Sequence, residues 1–186
     1  MSHFIVAVFS YSPEDVEELL APYNEQTEDE EYLEFEKASE SMEDIRALYA
    51  QEKQDGEGFD AYVHNWYGYD YNEELGAYGY YRNPNAKWDW WEIGGRWHNE
   101  LRLKQGKKCD QAQVRDVDFS PDAEADTAFT CWAFLTPDGE WHEQGQMGWF
   151  GVGDDTKESR ARFTLELESM LKSSPDLWIT IVDCHI

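Results

Sequence analysis

The chain opens on HFIVAVFS, His3 to Ser10, an apolar and β-rich run that predicts a strand. Ser12, Pro13, Glu14 and Asp15 then supply an N-cap, an N1 proline and early acids, which predict a helix through about Leu20. After an acidic loop, YLEFEKA predicts a second strand. SMEDIRALYAQEKQ puts Met42, Ile45, Leu48 and Tyr49 on one helical face behind a Ser41 cap. From Phe59 to about Gly95 neither period is clear, and a long aromatic loop is expected. RWHNELRL then alternates Trp97, Leu101 and Leu103 inward as a strand. The clearest hairpin lies at about residues 127–146, where Pro137-Asp138-Gly139 joins a β-rich arm to a return near Trp141. MGWFGVGDD reads as a glycine-rich bend, Asp155 as the cap of a helix carrying Phe163, Leu167 and Leu171, and LWITIVDCHI as a closing strand. The order β-α-β-α-loop-β-β-β-α-β predicts one α+β domain over residues 1–186. Its mainly antiparallel or mixed sheet should have the first and last strands at its centre and about three helices on one face.

Composition changes this picture in two ways. The 186 residues carry 40 acids against 15 bases, a formal net charge of −25, which repels phosphate backbones and argues against direct nucleic-acid binding. The acid is concentrated: Glu14 to Asp60 hold 18 acids against 3 bases. Such a half-lobe is either a solubilising surface or an imitation of nucleic acid that occupies a basic partner. The 29 aromatic residues argue for a folded chain. No apolar run reaches membrane-spanning length and no secretion signal is evident, so a cytoplasmic location is expected. Cys109, Cys131 and Cys184 are too few and too scattered for a disulfide framework or a CxxC knuckle, and reduced thiols are expected.

Four groups could carry chemistry. Asp183 and His185 are two apart on the closing strand and share a face; with His3 from the first strand they form a candidate divalent-metal set, although no close HxxxH or HxH spacing supports it and polar chain ends are ordinary. His98, His142 and Glu143 offer imidazole and carboxylate beside tryptophan, but no nucleophile motif accompanies them. The glycine-rich segments fit neither GxxxxGK[ST] nor GxGxxG. Gly94 and Gly95 still permit a close approach or positive φ, and Arg96 can present a guanidinium fork to phosphate or carboxylate. Trp88, Trp90 and Trp91 flank Asp89, and an extended backbone would send Trp88 and Trp90 to one face and Trp91 to the other. Together with Lys87, these rings could stack on a nucleobase and offset phosphate charge, or form an aromatic minicore.

NPNAKWDWWEIGGRW, the opening HF.V strand, DG.WHE.G.MGWFG and the closing VDCHI resemble a group of proteins carried by bacteriophages and other mobile elements of bacteria, over nearly the whole chain. The group brings no established activity, so no catalytic residue is carried over. The resemblance implies a phage-type accessory or counter-defence setting, in which small acidic proteins disable a host system. Three functions are expected to compete there. One is non-catalytic capture of a small ligand, such as a nucleotide immune signal, by Lys87, Trp88, Trp90, Trp91, Gly94, Gly95 and Arg96, with no cofactor. Another is acidic mimicry of nucleic acid against a basic host defence protein. The third is a metal-dependent hydrolase using His3, Asp183 and His185.

Overall fold

Strand β1, His3–Ser10, is apolar on both of its alternating rows, and this decides how the protein is layered. A strand with two apolar rows must be covered on both faces. The computed structural model describes residues 2–52, 58–120, 129–147 and 152–186. Along the chain, β1 is followed by α1 (Val16–Leu20), β2 (Glu34–Lys37), α2 (Met42–Glu52), α3 (Phe59–Tyr67), β3 (Asp70–Asn72) and β4 (Ala77–Arg82). Then come β5 (Trp90–Ile93), β6 (Leu101–Arg102), β7 (Lys108–Cys109), β8 (Gln111–Gln113), β9 (Ala133–Leu135), β10 (Trp141–Glu143), α4 (Lys157–Ser173) and β11 (Trp178–His185). The fold is α+β with mixed sheets, as the patterning predicts. Where one domain over residues 1–186 is expected, the internal contacts group into two compact units: residues 1–25 with 85–186, and residues 26–84.

The first unit is built on the sheet β10-β9-β1-β11-β5, with β8 pairing the other half of the β11 edge. β1 and β11 are central, as expected, and run antiparallel in the register His3↔His185 through Ser10↔Trp178. Phe4, Val6 and Val8 pack on one side with Val16 and Leu20 of α1, whereas Ala7 and Phe9 pack on the other with Phe163 and Leu167 of α4. These helices therefore take opposite faces of the sheet instead of the single face expected, because both rows of β1 need cover.

The 137–139 turn joins β9 and β10 as predicted, in the register Trp141↔Leu135; residues 127 and 128 of that hairpin and 148–151 of the glycine-rich bend lie outside the described residues. Helix α4 is capped one residue later than expected. The Thr156 side chain accepts the Ser159 N–H, while Asp155 pairs with Arg160.

The second unit corrects the expected aromatic loop over residues 59–95. Phe59–Tyr67 is a helix, and β3 and β4 form an antiparallel hairpin whose other edge carries β2. Its core joins Ile45, Tyr62, Val63 and Tyr69, with Met42, Tyr49, Phe59 and Tyr78 packed against them. Gly68 ends α3 at φ 71°, the left-handed geometry that glycine adopts without a Cβ penalty. The acidic half-lobe does not coincide with a unit, since Glu14 to Glu25 belong to the first. Residues 26–84 hold 16 acids against 4 bases, net −12. Among the described residues, no helix is long and apolar enough to cross a membrane.

Candidate functional site

β11 carries the site because it is paired on both sides. Across three strands the registers His3↔His185 and His185↔Trp90 place these residues in one row. Side chains at paired positions share a face, so both imidazoles and the Trp90 indole emerge together. The His3 and His185 rings meet edge to face with centres 4.9 Å apart, and the His3 ring lies 6.2 Å from Trp90. Asp183 is two residues from His185 and shares its face.

Each imidazole is held through Nδ1. His3 Nδ1 lies 2.8 Å from Asp183 Oδ1, and His185 Nδ1 lies 2.5 Å from Asp89 Oδ1. A carboxylate oxygen accepts, so Nδ1 donates in both pairs and Nε2 is the ring nitrogen left free. Neither Nε2 has a hydrogen-bond partner among the described residues. Asp183, 1 % exposed, is satisfied at its other oxygen by the backbone N–H of Arg96 at 3.0 Å. That contact depends on the glycine pair. A Cβ on Gly95, at φ +48°, would stand 2.5 Å from the Asp183 carboxylate, and one on Gly94, at φ +72°, would stand 2.7 Å from that of Asp110. Asp110 repeats the pattern: Oδ1 accepts the Asn99 N–H at 2.5 Å, and Oδ2 lies 2.7 Å from His98 Nδ1. The diglycine thus seats two carboxylates, each bridging a backbone amide to an imidazole.

The expected site residues separate. Trp90, 48 % exposed, accompanies the histidines, whereas Arg96 reaches the site through its backbone N–H to Asp183, and its exposed guanidinium has no ion pair among the described residues. Trp88 does not share the Trp90 face, as an extended backbone would require. It bridges Asn24, so the chain turns before β5, and its ring is 6 % exposed in the core beside Val16 and Leu20. Trp91 pairs with Cys184 on that same opposite face, 6.5 Å from Trp88. Lys87 is engaged with Glu143 at 2.8 Å. The predicted strand from Trp97 begins later, because Gly94, Gly95 and Asn99 (φ 63°) hold Gly95–Trp97 in a 3₁₀ turn. Leu101 is nevertheless buried, with Trp97 and Leu103 packed on the same core.

His3, Asp183 and His185 do come together, but Asp183 has both oxygens committed to His3 and Arg96. It is placed to orient His3 rather than to share a metal with it. Among the described residues no group of three or more His, Cys, Asp or Glu side chains is arranged to hold a metal ion. His142 and Glu143 are neighbours on β10 with separate partners. His142 stacks on Phe134 at 4.5 Å and contacts Glu166 of α4, while Glu143 takes Lys87 and the Trp141 indole N–H. The three cysteines are free thiols, and burial raises the pKa of Cys131 and Cys184 far above the ordinary range.

Sequence reasoning missed Asp89 and Asp110. Asp89 was visible only as the polar residue between tryptophans, and its partner lies 96 positions away. Compared with models of known protein families, with curated proteins and with solved structures, the chain has no match.

Proposed function

We propose that the face formed by His3, His185, Trp90 and Arg96 binds a small anion carrying an aromatic ring, a nucleotide being the chemistry that fits. The observation that carries this reading is the row of two carboxylate-anchored imidazoles with free Nε2 atoms beside an exposed indole, with the backbone of Arg96 seated on the same Asp183 carboxylate. The guanidinium can supply donors to phosphate, the indole supplies a stacking plane, and each free Nε2 offers one further polar contact to the ligand. In a chain of net −25 such a ligand needs this local cationic relief. In the phage-type setting that the resemblance implies, the protein would capture a nucleotide signal of the host.

Calorimetric titration with mononucleotides and cyclic dinucleotides tests the reading. Binding should weaken about tenfold in Trp90→Ala, the scale of one lost base stack, and comparably in Arg96→Ala, with the folded circular dichroism kept. Wild-type affinity in both variants would remove this face from the site.

One observation favours a second reading: an imidazole whose Nδ1 is fixed by a carboxylate is also what general acid–base chemistry uses. Mass spectrometry of ligand recovered after denaturation separates the two. Intact ligand supports capture, and cleaved ligand assigns His3 and His185 to catalysis, with or without a divalent ion at Nε2.

A further inference from the structure

The second unit has a cavity of about 660 Å³ at its three-stranded sheet, remote in chemistry from the imidazole row and independent of its function. Phe35 of β2 and Tyr81 of β4 present their rings on this face, whereas Tyr71 and Tyr80, at the alternate positions, border the cavity with their rings turned to the opposite face. Asp70, Glu73 and Glu74 complete the lining, the two glutamates lying in the turn between β3 and β4.

The registers explain how this surface arises. Phe35↔Tyr81 are directly paired with ring centres 5.3 Å apart, and Lys37, Gly79 and Asp70 follow as the next row of the same face. Phe35 leans over Gly79, where an added Cβ would meet its ring at 2.7 Å. Asn72, also on this face, donates to the Tyr81 hydroxyl at 3.0 Å and steadies a ring that is 60 % exposed. Glu73 and Glu74 have no ion pair among the described residues, and Asp70 pairs with His64 at 2.9 Å. Lys37 is the one base on this face of the paired strands, while Arg82 pairs with Glu34 in the alternate rows and is bound to Glu36; neither lines the cavity.

We infer that this cavity is a receptor for an arginine side chain presented by a basic protein segment. Aromatic faces attract a cation through the negative centre of the ring, and a flat guanidinium can stack on them while its edge donates to carboxylates. The unit already makes this contact internally, since the Arg46 guanidinium carbon sits 4.1 Å from the centre of the Phe59 ring. Two unpaired glutamates at the rim match the guanidinium edge. The net −12 of residues 26–84 spreads the attraction beyond the cavity, which suits a basic chain segment better than an isolated cation. The cavity also has room for the residues flanking one side chain.

The probe is a short Gly/Ser peptide with two arginines, compared with versions carrying two lysines or two neutral citrullines, by titration and by amide chemical shifts of isotopically labelled protein. The arginine peptide should shift amides of β4 and the 73–76 turn, bind about fivefold more tightly than the lysine peptide, and lose about fivefold in Tyr81→Ala. Tyr81→Phe, which keeps the ring, should restore binding. Glu73→Gln with Glu74→Gln should weaken binding, whereas Glu43→Gln with Asp44→Asn on α2, the same change in charge, should alter it less than about twofold. Equal loss in the two charge variants, or unchanged affinity in Tyr81→Ala, would reduce the effect to the general field of the protein and overturn the site. Arginine amide binding as tightly as the peptide would overturn the protein segment as its occupant.

Discussion

The two units solve the problem of a core with different residues. In the first, aliphatic side chains fill both faces of a sheet: Val6, Val8, Leu135, Ile179, Ile181 and Val182 are fully buried. In the second, Ile45 and Val63 are the buried aliphatics of the core among the described residues, and Tyr62 and Tyr69 complete it. A tyrosine body packs like a hydrocarbon, but its hydroxyl needs a partner at the surface. There the acids serve: Tyr69 donates to Glu40 at 2.5 Å and Tyr78 to Asp60. Part of the negative charge that looks like excess in the sequence therefore anchors the rims of an aromatic core. Burial in the first unit is apolar enough that its buried carboxylate, Asp183, needs a dedicated amide and imidazole, and that need builds the candidate site.

The contrast is broken most severely by deleting a ring from the sheet core. Phe134 packs with Phe9 at 6.0 Å and Phe163 at 5.4 Å. Phe134→Ala should destabilise by about 3–5 kcal/mol in urea unfolding. Val63→Ala in the tyrosine-rich core should cost roughly 2 kcal/mol, from two lost carbons and the space they leave. A larger loss at Val63 than at Phe134 would mean that the tyrosines depend on their few aliphatic neighbours more than the sheet depends on its rings.

Gly95→Ala sharpens the contrast at the site. Its left-handed φ alone costs about 1–3 kcal/mol for an alanine, and the added carbon would displace the Asp183 carboxylate. The expected result is a lowered urea midpoint together with loss of the Nδ1-protonated signature of His3 in nitrogen NMR. His185, anchored by Asp89, should keep its signature. If both histidines change together, Asp183 organises the whole row instead of His3 alone.

How far the chain could be read follows from the same difference. HFIVAVFS and LWITIVDCHI were legible as central strands because their apolar runs exceed any local alternative, and their pairing brought His3 to Asp183 and His185 as expected. Helix α3 was missed although Phe59, Tyr62, Val63 and Trp66 hold the i, i+3, i+4, i+7 spacing, because aromatic residues favour strands and hid the period. In the site, Gly94, Gly95 and Arg96 were legible as a close-approach device. Their actual guests come from elsewhere in the chain, Asp183 from β11 and Asp110 from the bend between β7 and β8, and such pairing leaves no local signal. Trp88 and Trp91 could not be told from Trp90, since three tryptophans in four residues look alike until a register divides them.

The smallest expected effect bears on the tyrosine anchors. The hydrogen bond to Glu40, then burial, raises the Tyr69 phenol above its ordinary value of about 10; burial, then the bond to Asp60, does the same for Tyr78. In the first unit Tyr23 is raised chiefly by burial. A phenol whose pKa is higher in the folded state contributes stability that is fully present below its unfolded pKa and is lost as pH rises through its folded pKa. Phenolate absorbance at alkaline pH should therefore lag in the native protein relative to the urea-unfolded chain. Tyr69→Phe and Tyr78→Phe should each remove part of that lag, and stability between neutral pH and about pH 10 should not decline through these groups. A lag that survives both substitutions and disappears in Tyr23→Phe would move the alkaline sensitivity to the sheet unit and leave the acids around Tyr69 and Tyr78 without an anchoring role.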